Sequence, residues 1–244
     1  WGLTNGITTM PNDRTIIFVR ANSPGSDETE WNDWYEKQHI AARLEIPGFL
    51  CIRRFRLSDG QTSNPASLVA PTYLALYEVD HPDVLSSAPY MKVVKHEASL
   101  GSDSFEARTR AQPHISRGIF RQIFPPADAY TVPDEAEWLV AVGHGDLPDR
   151  LHREYDAWYN TEHIPACLRM PGVVTARRFE IQATASGASS KVGSNVPDYV
   201  ALYDVTHDSL LSSELFEQSG SAPWRAVEYC KMNHAYQCIY RGER

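Results

Sequence analysis

Two stretches of this chain set an imidazole at the end of an aromatic line. Trp31, Tyr35 and His39 follow one another at four-residue intervals, and Tyr155, Tyr159 and His163 repeat that spacing. On a helix, positions i, i+4 and i+8 share one face. Such a stripe, laid against a sheet, could hold a planar substrate and bring a proton acceptor to it. Histidine changes charge closest to neutral pH, which suits general acid–base work. His39 and His163, with Tyr35 and Tyr159 beside them, are therefore the candidate catalytic residues. Trp31, Trp34, Tyr155 and Trp158 are candidate substrate contacts. The competing reading is plain helix-on-sheet packing with the imidazole on a backbone carbonyl, and a histidine kept in both stretches favours it.

Further candidates sit on segments that read as strands. Arg53-Arg54 and Arg177-Arg178 are neighbours within FLCIRRFRL and VVTARRFEI, so the two members of each pair must face opposite sides of a sheet. A guanidinium suits a substrate carboxylate, enolate or phenolate, and Arg54 and Arg178 are taken as the substrate-facing members. The alternative is an ion pair with Glu78 or Asp204 on the adjacent strand. In YLALYEV and YVALYDV, Tyr73 and Tyr77, and likewise Tyr199 and Tyr203, flank a small Ala75 or Ala201, leaving a gap that a ligand could fill. Ordinary aromatic packing is the competing account, although a buried tyrosine hydroxyl still needs a partner. His144 with Asp146, His96 with Glu97, and Trp224 with Arg225 occur on one side only and read as solvated surface.

Composition limits the rest. The 244 residues are 42% hydrophobic and 22% charged, ordinary for a globular protein with room for one large or two small domains. A formal charge of −8 argues against nucleic-acid binding, which needs a basic surface. Cys51, Cys167, Cys230 and Cys238 form no C-x-x-C pair, so neither a disulfide framework nor a zinc knuckle is indicated. No run approaches 18 apolar residues and the first residues lack a signal pattern, so a soluble cytoplasmic protein is expected. Neither G-x-G-x-x-G after a strand, nor Walker A, H-E-x-x-H or G-x-S-x-G is found. No cofactor and no metal are expected. The two histidines lie on separate helices and are not expected to share an ion.

The elements that position these residues occur twice. Residues 31–55 and 155–179 agree at 11 of 25 positions at a constant shift of 124, among them Trp34/Trp158, Tyr35/Tyr159, His39/His163, Pro47/Pro171, Gly48/Gly172 and Arg54/Arg178. Residues 71–87 and 197–213 continue the match at a shift of 126, the change falling in polar stretches where loops absorb insertions. Two halves, 12–124 and 137–241, result, joined by a proline-rich linker over 125–136. Each half reads as a strand, a helix stopped by Pro-Gly (Asp27 to Ile46; Asp149 to Met170), two strands, a second helix (82–98; 208–232) and a closing strand. The fold class is therefore α+β, two ferredoxin-like β-α-β-β-α-β units. Face-to-face closure of the two sheets would remove the open edges that a single unit leaves.

The pieces W-Y-x-x-x-H-I, the P-G that follows, R-R-F and Y-x-A-L-Y-[ED] resemble the dimeric α+β barrel superfamily, specifically its EthD-like branch. The resemblance covers both halves and implies a pseudo-dimeric α+β barrel within one chain, with a small-molecule pocket between each sheet and its helices. The superfamily's chemistry is varied: cyclases, decarboxylases, isomerases, cofactor-independent monooxygenases and haem peroxidases. The expectation drawn here is a cofactor-free lyase, isomerase or cyclase working by proton transfer on a hydrophobic, oxygenated, polyketide-like secondary metabolite. Cofactor-independent or haem-dependent oxygenation, and non-catalytic binding of a small molecule, are the alternatives. Thr161-Glu162-His163-Ile164-Pro165 lies nearer the family pattern than Lys37-Gln38-His39-Ile40-Ala41. Which half works, and whether the pseudo-dimer pairs further with a second copy, stay open.

Overall fold

Alternation of apolar side chains along the β-branched runs determines how the sheet closes. In a computed structural model, which describes residues 13–25, 27–59, 70–126, 130–182, 191–193, 196–213 and 230–244, eight strands form one closed antiparallel ring. They are β1 (Thr15–Ala21), β2 (Phe49–Leu57), β3 (Tyr73–Val79), β4 (Ser116–Phe124), β5 (Trp138–His144), β6 (Val173–Ile181), β8 (Tyr199–Val205) and β9 (Cys230–Glu243). A two-residue β7 (Lys191–Val192) adds on to β4. The order around the ring is β1-β3-β2-β9-β5-β8-β6-β4, and β4 returns to β1. The first part of the chain thus supplies β4-β1-β3-β2 and the second β9-β5-β8-β6. The joints are β2 with β9 and β4 with β6.

Period-two patterning sorts the side chains between inside and outside. Ile16, Phe18, Leu74, Leu76, Phe120, Leu139, Phe179 and Leu202 fill the lumen as one cluster drawn from both parts of the chain. The alternate residues, such as Ile17 and Tyr77 or Val140 and Tyr203, point outward and pack under helices as two separate clusters.

The first helical stretch is α1 (Glu28–Trp34), a π-helical segment (Tyr35–Ile40) and α2 (Ala41–Leu44). Asp27 starts it by accepting the Glu30 N–H at 3.0 Å. Gly48 ends it at φ +95°, where an added Cβ would stand 2.4 Å from Val84 Cγ2. The second part of the chain repeats the arrangement with α5 (His152–Trp158), a π-helical segment (Tyr159–His163) and α6 (Ile164–Cys167), turned by Gly172 at φ +88°.

After β3 come a 3₁₀ turn (Pro82–Ser86), α3 (Ala88–Ser99) and then α4 (Phe105–Arg110). The sequence reading has a single helix here, and α4 is an addition to it. Ser87 and Ser104 cap the two helices through their hydroxyls. The helix expected over 208–232 opens instead with a 3₁₀ turn (Asp208–Ser212). Residues 214–229 lie outside the described residues, and 230–232 already belong to β9, longer than the closing strand expected.

Inside the barrel the arginine pairs cross between the two parts of the chain. Arg53 on β2 bonds Asp204 on β8 at 2.6 Å, and Arg177 on β6 bonds both oxygens of Glu78 on β3 at 2.9 and 3.0 Å. The acid partners expected from the sequence are the right residues: each makes its shortest contacts with the arginine of the other part of the chain, while Arg53 also stands 3.8 Å from Glu78 on the adjacent strand. Tyr130, within the segment read as a linker, joins this cluster: its hydroxyl meets Asp204 and its ring lies 3.4 Å from the Arg177 guanidinium. Burial would raise the Asp204 carboxyl, but Arg53 and Arg177 outweigh it and hold the pKa at about 2.

Candidate active site

A cavity of about 740 Å³ lies on the outer face of β1, β3 and β4, under α3, α4 and the first π-helical segment. Its floor is Ile17, Val19 and Ile119, on the outward-facing register of their strands, with Ile115 just ahead of β4. Four residues singled out from the sequence line it: Trp34, Tyr35, His39 and Tyr77. The π-helical segment brings Tyr35 and His39 to one side, with ring centroids 4.6 Å apart. π-helical turns of this kind are frequent at functional sites.

The polar groups on this wall run as a chain. The Tyr35 and Tyr77 hydroxyls share a short hydrogen bond. His39 Nε2 is 3.1 Å from the Tyr77 hydroxyl, and its Nδ1 is 2.9 Å from Glu106 Oε2 and 3.4 Å from Glu97 Oε1. Arg43 clamps Glu97 with two bonds of 2.7 and 2.9 Å, and Arg110 bridges Glu97 and Glu106 at 3.1 and 2.6 Å. Burial and the neighbouring Arg43 push the His39 pKa below its ordinary value, and Glu106 opposes them only in part. Burial alone would raise Glu106, but His39, Arg110 and Arg43 bring its carboxyl below the usual range. Tyr35 is raised by burial, and Tyr77 is raised well above 10 by burial and by Tyr35. At neutral pH the imidazole is therefore neutral, Glu106 is ionised and both tyrosines keep their protons. Glu106 takes the Nδ1 side, which leaves Nε2 as the acceptor that faces the tyrosines.

His39, Glu97 and Glu106 each bring one ligand atom within 4.8 Å of the others. The two carboxylates are already neutralised by Arg43 and Arg110, so the group reads as a closed charge cluster rather than a cation cage. Haem, which the resemblance allows, fits poorly on the same ground. An axial ligand needs an imidazole nitrogen open to the cavity, whereas Nε2 of His39 is held by Tyr77 and Nδ1 faces Glu106.

The other candidates in the first half stand behind the cavity wall. Arg54, 1% exposed, bonds Asn32 at 2.7 Å and lies 4.2 Å from the Tyr35 ring centroid, so it fastens α1 to the sheet. Trp31 is fully buried, its indole N–H on Thr109 at 3.0 Å, and the Tyr73 hydroxyl meets Glu28 and Asn32. In the second half Arg178 repeats the fastening, on Asn160 and Asp156 at 2.7 Å each and 4.3 Å from the Tyr159 ring centroid. Tyr155 packs between Tyr159 and Tyr199. The Tyr159 and Tyr203 hydroxyls meet at 3.1 Å, and His163 stacks on Trp158 with Nε2 3.6 Å from Cys167 Sγ. Tyr159, Tyr203 and His163 thus repeat Tyr35, Tyr77 and His39, but Cys167 stands where the first half has Arg43. His144, read from the sequence as surface, is instead wedged against the Tyr155 and Tyr159 rings, and burial together with Arg178 lowers its pKa to about 3.

Sequence reasoning missed Glu106, Arg43 and Arg110, and took the buried Glu97 for a surface residue. The signal for Glu106 is Ser104, a capping residue that opens a short helix where a direct run into β4 is expected. Glu97 carries none, because its neighbours Lys95 and His96 are exposed and α3 has only a weak apolar face.

No family model and no curated protein matches the chain. Among solved structures it is similar to a candidate monooxygenase from Fusobacterium nucleatum subsp. nucleatum, at a TM-score of 0.58 and 7% identity over 96% of both chains. An anthrone oxidase-like protein gives a TM-score of 0.56 at 9% identity, covering 95% of this chain and 93% of that one. A candidate chlorite dismutase gives 0.54 at 15% identity, covering 95% and 96%. At such identities the likeness is one of fold: a closed barrel with helices packed outside it. No helix among the described residues is long and apolar enough to cross a membrane.

Proposed function

We propose that the chain is a small-molecule enzyme in which His39, acting through the Tyr77 hydroxyl, removes a proton from a hydrophobic, oxygenated substrate held in the cavity. The observation that carries this reading is the buried run Tyr35–Tyr77–His39–Glu106 along one wall of an otherwise largely apolar pocket. A neutral imidazole with a carboxylate behind it is a competent base, and burial keeps it so below neutral pH. The tyrosine hydroxyls can carry the proton and hydrogen-bond the developing enolate or phenolate oxygen. Apolar walls exclude water from the carbanion.

Cofactor-independent oxygenation is the outcome favoured here. For a tricyclic ketone with an acidic methylene, the Tyr77 oxygen takes one methylene proton as its own proton passes to His39 Nε2, and the electron pair of that C–H bond adds to dioxygen. The resulting peroxide takes the proton back as a hydroperoxide. Loss of the second methylene proton with hydroxide, as water, leaves a carbonyl. Ketone and dioxygen thus become quinone and water, with dioxygen as the only oxidant. The names borne by the structural neighbours, monooxygenase and anthrone oxidase-like, agree with this outcome. A lyase, cyclase or isomerase would use the same proton transfer without oxygen.

The same reading takes the chain as two fused ferredoxin-like copies, 12–124 and 137–241, joined over 125–136 and akin to the EthD-like branch. The order β4-β1-β3-β2, met again as β9-β5-β8-β6, supports it. The test is oxygen uptake by the purified chain with anthrone as probe, in air and under nitrogen. Uptake equimolar with quinone formation, lost in His39→Ala, is expected. Conversion that persists under nitrogen would support the lyase-type reading, and binding without conversion a carrier.

A further inference from the structure

The cavity holds one cation that the proton-transfer machinery does not use. Arg117 on β4 shares the outward register of Ile119 and lines the cavity with Ile115 and Ile119, so its side chain joins an apolar floor. It is only part-exposed, and among the described residues it has neither an acid partner nor a hydrogen-bond acceptor. The other two arginines of the cavity, Arg43 and Arg110, are both tied to Glu97 and Glu106. A part-buried guanidinium beside apolar surface is costly to leave unpaired. The pairing registers Val19↔Arg117, Val19↔Ala75, Val142↔Asn233 and Val142↔Ala201 place Asn233 at the equivalent point of the second half. The charge therefore belongs to the half that carries the His39 relay.

We infer that Arg117 receives a carboxylate on the substrate, which makes the preferred substrate a hydrophobic oxygenated acid rather than a neutral ring system. The inference rests on the cavity being the substrate site. Register supplies the scale: Ile119, Ile17 and Tyr77 form one row across β4, β1 and β3, and Arg117 lies two residues further along β4. With strands about 4.8 Å apart and a rise of about 3.4 Å per residue, its Cα is about 12 Å from that of Tyr77. A fused-ring body with its acid at the end remote from the reacting carbon spans such a gap. The planar fork of the guanidinium matches a carboxylate with two parallel N–H donors.

Binding of anthraquinone-2-carboxylate and of its carboxamide, followed by quenching of intrinsic tryptophan fluorescence at pH 7, tests this. The native chain should hold the carboxylate at least tenfold more tightly than the amide. Arg117→Gln should abolish that preference while leaving amide affinity unchanged, and Arg117→Lys, which keeps the charge, should retain part of it. Near-ultraviolet circular dichroism checks that both variants fold. Equal affinity of the native chain for the two probes overturns the role of Arg117 alone. Failure of both probes to bind overturns it together with the substrate cavity.

Discussion

His39 works under two opposed influences, and their balance predicts how rate depends on pH. Burial and Arg43 lower its pKa while Glu106 partly restores it, so the unprotonated, competent form persists below the ordinary imidazole value of 6.5. The acid limb of kcat/KM is expected below that pH. Glu106→Gln removes a charge that raises the pKa, so the limb should move further down and the plateau should fall at least tenfold. A limb that moves upward would refute the assignment. His39→Ala should cost about 10²–10⁴ in turnover while the melting temperature changes little, and His163→Ala should leave turnover intact. Tyr35 and His39 were legible in the sequence because a four-residue interval survives wherever a helix forms. Tyr77 was legible from strand alternation. Glu106 was not, since it reaches His39 from α4, and no local periodicity reports a contact across 67 residues of chain.

At the scale of elements, the π-helical segments decide how stripe residues meet. One residue more than an α-helix needs is accommodated between Tyr35 and Ile40, turning His39 towards Tyr77 rather than along the helix. Deleting the exposed Lys37 should restore an α-helical turn and swing His39 by about 100° relative to Tyr35. Far-ultraviolet circular dichroism should stay native while turnover is lost; retained turnover would show that the π-helical geometry is dispensable. The turn that follows is equally constrained. Gly48→Ala adds a Cβ against Val84 and Asp80 at a positive φ, and urea unfolding should record a loss of about 1–3 kcal/mol. Pro47-Gly48 and Pro171-Gly172 announced both helix ends. The π-helical character itself was illegible, because it depends on packing against the sheet rather than on residue type.

For the whole molecule, the crossed ion pairs tie the two parts of the chain together in the lumen. Asp204→Asn leaves the buried Arg53 only the more distant Glu78 at 3.8 Å, already held by Arg177, and should cost about 3–5 kcal/mol in denaturant unfolding. Replacing Arg53 and Asp204 together by Met and Leu should recover much of that loss. The Asp204 pKa is depressed from 3.8 to about 2, so its contribution, about 2 kcal/mol, is complete above pH 4 and lost as pH falls towards 2. Acid unfolding of the native chain, compared with Asp204→Asn, should show the difference between them shrink by about that amount over the same interval. The succession of strands and first helices was readable because two stretches of the sequence match each other. Which arginine meets which acid was not, since both choices satisfy the same alternation and only closure of the ring selects between them.

Closure has one more effect, on how this molecule can meet its own kind. Every one of the eight ring strands already has a partner on either side. Backbone N–H and C=O groups along the ring are thus largely spent internally, and among the described residues the two-residue β7 is the one strand with an open edge. A second copy would engage mainly through side chains on helices and loops, so self-association should leave the amide-exchange protection of the ring strands unchanged.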